Sequence, residues 1–263
     1  MDIMNFYRSM LGELFSGTPF QRQTDAEPSR IDYRGDNRNL NAVQSIFSEG
    51  YSSLKGWMGK NGVRRRVSPD RIEVGDFFRP KNGYLVSTPE GSYFLSDGQV
   101  EAMRYRDDFG RDVVALDEGL IPGTPKNQWA KTFYSIARRN IGHLYNKYAN
   151  LRPLLSSLDE IYKGILEKIE DGKGAVYTMT HELSHGLTWH INSREANEAA
   201  TDLITESALL RDESVGAYSV FKQRLKNVLR SANAKVSDMI KNSWLSRQIE
   251  NLYYWRRSRY SFV

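Results

Sequence analysis

The spacing of apolar residues divides the chain into stretches of different texture. Over 40–58 they return with helical period, and 5–15 reads as a shorter amphipathic helix. The polar segment between them, 17–39, is rich in charge, Pro and Gly and reads as a loop or arm. Between 71 and 117 short apolar runs at 72–78, 84–87, 92–95, 100–105 and 113–116 are bounded by turn signals such as Pro80-Lys81-Asn82-Gly83 and Pro89-Glu90-Gly91. That pattern predicts an antiparallel meander of about five strands. From 126 to 173 the period is helical again, interrupted at Arg152-Pro153 and closed by Asp171-Gly172-Lys173-Gly174. Near the end, Val236, Ile240, Trp244, Leu245, Ile249 and Leu252 follow one helical stripe, which predicts a packed amphipathic helix with a positive outer face. The expected fold is α+β and helix-rich, with a small antiparallel sheet before a central helix and a C-terminal helical region. Its expected parts are an N-terminal helical and arm region (1–70), a core (71–212) and a basic helical region (213–263).

The central helix carries the chemistry. Residues 178–187 read Thr-Met-Thr-His-Glu-Leu-Ser-His-Gly-Leu, an HExxH motif. His181 and His185 are four apart and project from one helix face, where their nitrogens can take adjacent corners of a tetrahedral zinc ion. Glu182 is placed to reach the zinc-bound water, whose pKa the metal lowers from about 15.7 towards ~7. The flanks are uncharged, Met179, Leu183 and Leu187 form the stripe of a core helix, and Gly186 admits close approach of another backbone.

A catalytic zinc takes three protein ligands, and the candidates for the third are Glu195, Glu198, Asp202, Glu206 and His190. His190 lies five after His185, on another face, and reads as a helix-end or loop residue. Asn192 and Glu195 have the spacing of a capping box, which starts a second helix near 193 and gives Glu195 a capping role. If that helix runs back along the first to about 211, Glu198 meets His181 and His185 at matching depth. Ala196, Ala199 and Ala200 would let the helices come close. Asp202, one turn on, can then accept a hydrogen bond from a ligating histidine.

His181-Glu182-Leu183-Ser184-His185 followed by Asn197-Glu198-Ala199-Ala200-Thr201-Asp202 resembles the HExxH plus NExx[ST]D signature of thermolysin-like gluzincins, though the spacing is several residues shorter. The resemblance covers about 25 of the 263 residues. It implies a zincin-like fold and a zinc metallopeptidase acting on a protein or peptide, with His181, His185 and Glu198 on Zn²⁺, Glu182 as general base and Asp202 orienting a histidine. The run Glu195-Ala196-Asn197 with Ala199-Ala200 also resembles compact ImmA/IrrE-type peptidases, an alignment that makes Glu195 the ligand. For the developing oxyanion the candidates are Arg194, Tyr218, Tyr253, Tyr254 and Arg257.

Composition narrows the chemistry further. The chain has no cysteine, which excludes disulfides, thiolate ligands and cysteine nucleophiles, and three of its four histidines fall within 181–190. No run of about 18 apolar residues and no signal-peptide pattern is visible, so an intracellular protein without a membrane span is expected. Residues 222–263 hold ten Lys or Arg against Asp238 and Glu250, so the net charge of +5 resides in the tail. Its last residues, Tyr253-Tyr254-Trp255-Arg256-Arg257-Ser258-Arg259-Tyr260, suit stacking on nucleic acid, an acidic partner, or a solvated basic face. The competing functional class is therefore a structural or interaction protein of a larger assembly, such as a virion, that keeps a zincin-like fold.

Overall fold

The run Val113 to Leu116 is wholly buried, and its strand lies inside the main sheet. In the computed structural model, which describes residues 32–34, 39–76, 83–88, 91–96, 102–170, 172–210 and 219–260, that strand is β6 (Asp112–Asp117). It has β2 (Arg71–Gly75) on one side and β5 (Ala102–Arg106) on the other, and β1 (Asp32–Arg34) extends the sheet beyond β2. The strands between β2 and β5, β3 (Gly83–Thr88) and β4 (Gly91–Ser96), form a separate antiparallel hairpin. All five strands expected between 71 and 117 are present, but the sheet is mixed and not an antiparallel meander. β1, β2 and β6 run parallel, with Ile72 opposite Val114, and β5 alone is antiparallel, with Arg104 opposite Val114 from the other side. Alternation and turn residues locate strands without saying which become neighbours. After the β3–β4 excursion the chain re-enters the sheet at β5, one strand away from β2 and opposite to it in direction, and the β5–β6 hairpin then turns β6 back beside β2 in the same direction.

Eight α-helices occur among the described residues. They are α1 (Leu40–Lys60), α2 (Pro125–Lys147), α3 (Arg152–Glu170), α4 (Lys173–Thr188), α5 (Arg194–Leu209), α6 (Ser219–Ser231), α7 (Val236–Lys241) and α8 (Ser243–Tyr260). The break near Arg152-Pro153 is a short 3-10 turn, Ala149–Leu151. Gly172, at φ +72°, stands at the start of α4. The single C-terminal stripe is instead two helices. Asn242 separates them, its Oδ1 accepting from the N–H groups of Trp244 and Leu245, 3.1 Å each, and Trp244 is 66% exposed and so does not belong to a buried stripe.

Two apolar cores flank α5. The larger gathers α1 to α4 and the inner faces of β2 and β6; Met179, Leu183 and Leu187 of α4 are all fully buried in it. The smaller takes Leu225, Val228, Leu229, Met239 and Ile249 from α6 to α8. Ala196, Ala199 and Ala200 belong to this second core, so they do not supply the close approach expected against α4. Buried hydroxyls do that: Thr188 meets Thr201 at 2.9 Å and Thr205 meets Ser184 at 3.4 Å. Ser184 and Thr205 also donate to the carbonyls four residues back, which keeps these hydroxyls hydrogen-bonded while they are buried. Because α1 packs on α4 and β1 pairs with β2, the first core continues across residue 70. The helix expected at 5–15, most of the 17–39 arm and Tyr218 lie outside the described residues.

Candidate metal centre

Four-residue spacing puts His181 and His185 on one face of α4, their rings edge to face with centroids 4.9 Å apart. A short turn then brings α5 back along α4. Ser193 caps α5, its Oγ accepting from the N–H of Ala196, so the cap is one residue later than the expected Asn192 and Glu195 is not the capping partner. This phase points Glu198 at the histidines. Its Oε2 lies 3.3 Å from His181 Nε2 and 3.6 Å from His185 Nε2. Glu198 and Asp202 line the open cleft in front of them, and Glu195 is not among the lining residues.

Each imidazole is held by its other nitrogen. His181 Nδ1 is 3.0 Å from Asp202 Oδ1, which Tyr177 also approaches through its hydroxyl at 3.4 Å. His185 Nδ1 is 2.9 Å from Asn197 Oδ1. The Asn197 amide nitrogen donates to the Thr188 carbonyl at 2.8 Å, so its oxygen must face the ring. His185 therefore carries its proton on Nδ1 and presents a bare Nε2 towards Glu198. The Glu182 carboxylate and one nitrogen from each histidine lie within 4.8 Å of one another, which places this second acid beside the donor set.

The electrostatics favour one positive charge between these acids. Burial alone would depress His181, but hydrogen bonds to Asp202 and Glu198 override it and push its pKa up to about 10. His185 is driven down to about 4 by burial and then by the charge on His181. Burial raises Glu198 and Asp202, yet the His181 hydrogen bond and the surrounding positive charge together outweigh it and both stay below the usual carboxylate range. A bare imidazole nitrogen, a second imidazole and a carboxylate converging on one point, with counter-charge for a cation, fit a zinc ion in donor type and number.

The cleft encloses about 690 Å³ and is walled by Ala102, Met103 and Arg104 of β5, by Trp189, Ile191 and Asn192 of the α4–α5 turn, and by Lys168, Tyr177 and Arg194. Of the oxyanion candidates Arg194 is here, and the side chains of Tyr253, Tyr254 and Arg257, which belong to α8, lie outside those described. His190 is outside the donor set: Nε2 faces the Met239 carbonyl at 3.1 Å and Nδ1 faces Arg65. Three further residues reach the site without having been singled out in the sequence. Asn197 was visible within the motif, Tyr177 stands one turn before His181, and Arg104 comes from a strand some eighty residues upstream, where no local signal marks it. Arg104 also corrects the reading of Gly186, since its guanidinium, and not a backbone, occupies the space that glycine leaves.

No protein-family model matches the chain, and neither a curated protein nor a solved structure shows significant similarity to it.

Proposed function

We propose that the chain is a zinc metallopeptidase of gluzincin type, with His181, His185 and Glu198 holding the metal and Glu182 as general base. The observation that carries this reading is the approach of Glu198 Oε2, from a second helix, to the Nε2 atoms of both histidines at 3.3 and 3.6 Å. Zinc bound there would lower the pKa of water and polarise a substrate carbonyl. Glu182 takes the proton from the attacking water on its carboxylate and passes it to the leaving amine nitrogen. Asp202 and Asn197 keep the two rings oriented, and Arg194 and Tyr177 supply donors on the cleft wall. Among the described residues β5 has a strand neighbour on one side only, and Ala102, Met103 and Arg104 line the cleft. Its open edge offers main-chain hydrogen bonds to an extended peptide. An open cleft and an acid beside the donors also favour catalysis over a purely structural ion, which needs neither.

The test is zinc content together with hydrolysis of an unfolded protein, for wild type and Glu182→Gln. One zinc per chain is expected in both, with turnover at least ~10²-fold lower in the variant. A zinc-free wild type, or an undiminished variant, overturns the reading.

A further inference from the structure

We infer that Arg104 is a positioning residue that fixes the gap between the open edge of β5 and the Glu182 carboxylate, an inference that rests on the peptidase reading. Its side chain is only 2% exposed, and four of its five N–H donors are engaged. Nε and Nη2 grip the two oxygens of Asp112 on the neighbouring strand, Nε at 2.9 Å, while Nη1 donates to the Glu182 carbonyl at 3.2 Å and the Leu183 carbonyl at 2.8 Å. Carbonyls within a helix already accept from the fourth residue on, so Arg104 uses their second lone pairs. It can reach them only because Gly186 opens the flank of α4. A Cβ at 186 would lie 2.7 Å from Nη1 and 3.0 Å from Cζ. The tip of an arginine can usually swing aside; this one is pinned at four points, so the space has to come from the glycine. A lysine, a point charge without the fork, cannot hold Asp112 and both carbonyls together. The strand that would carry substrate and the residue that would move the proton are thus joined through one side chain, which sets their separation without contributing a metal donor.

The experiment uses the full chain carrying Arg104→Lys or, as the gentler wedge, Gly186→Ala, each also combined with Glu182→Gln. The readouts are zinc per chain, the absorption spectrum of the cobalt(II)-substituted protein, thermal midpoint, kcat and KM, and affinity of the Glu182→Gln forms for fluorescent casein. Zinc content and the cobalt spectrum are expected to stay as in the parent, because every proposed donor lies on α4 or α5. Turnover per zinc-loaded chain should fall about 10²-fold, the size of an effect from misplacement by about an ångström, and casein affinity should weaken. Casein bound equally well by parent and variants, with kcat and KM unchanged, overturns the inference alone. So does a loss of activity that only tracks lost zinc or lost fold. Casein bound by neither parent nor variants overturns the peptidase reading, and this inference with it.

Discussion

At the crossing of α4 and α5 each imidazole has one nitrogen fixed by a neighbour and the other turned towards Glu198, and the value of each residue follows from which nitrogen it serves. Glu198→Ala removes the proposed third donor and should lower zinc affinity severely. Glu195→Ala removes an acid in the first turn of α5, which Ser193 caps without it, and should leave zinc affinity near wild type in a competition titration. The opposite pattern would favour the ImmA/IrrE-type alignment. Asp202→Asn and Asn197→Ala each disturb the far side of one ring, so both should retain one zinc per chain while weakening affinity or activity by ~10–100-fold. Wild-type affinity together with unchanged activity would assign these two a purely structural role. The convergence of His181, His185, Glu198 and Asp202 was legible because i, i+4 spacing on two consecutive helices converts directly into shared faces, and Glu182 was legible from its place beside the first histidine. Asn197 could be read as part of a motif but not as the partner of His185, since that depends on the amide being anchored by the Thr188 carbonyl. Arg104 was out of reach, because its partners lie in helix backbone 78 and 79 residues away.

Among the elements, positions were legible to within a few residues and neighbour relations were not. The strands between 71 and 117 appear where expected, yet their order and direction follow from how the β3–β4 excursion returns, which periodicity does not encode. The C-terminal stripe failed for a different reason. A helical period continues through Asn242, but a side chain that accepts two following N–H groups starts a new helix there. Asn242→Ala should therefore destabilise the protein by about 1 kcal/mol in urea unfolding. Gly174 marks a tighter constraint. A Cβ at that position would stand 2.2 Å from the backbone of Lys168, so α3 and α4 must part to admit it. Gly174→Ala is expected to lower stability by roughly 1–3 kcal/mol, the range for overpacking. An unchanged thermal midpoint would show that the two helices slide apart freely.

For the molecule as a whole, the tail is less of a basic surface than its composition suggests. Lys222 is only 5% exposed and pairs with buried Glu206, with Lys226 at 3.9 Å from the same carboxylate. Burial raises the Glu206 pKa although Lys222 opposes the shift. Lys222→Ala would leave that acid buried against its charge and should destabilise by about 3–5 kcal/mol, far more than removal of a solvated lysine. Stability within a few tenths of a kcal/mol of wild type would return Lys222 to the outer face. Among the described residues no helix is long and apolar enough to cross a membrane.

The C-terminal helices also reach back to the turn beside the donors. Glu250 on α8 accepts from the backbone N–H groups of Asn192 and Ser193 at 3.1 and 3.2 Å, and Arg65 ties the Leu187 carbonyl at the end of α4 to the Ile240 carbonyl of α7. A ribosome that has finished Asp202 has made every residue proposed to touch or orient the metal, but not the carboxylate that closes the turn between the two ligand helices. A chain cut anywhere between Asp202 and Glu250 would therefore carry all the proposed ligands on a turn that nothing closes, so the order in which the residues are made separates assembling the donor set from fixing its frame.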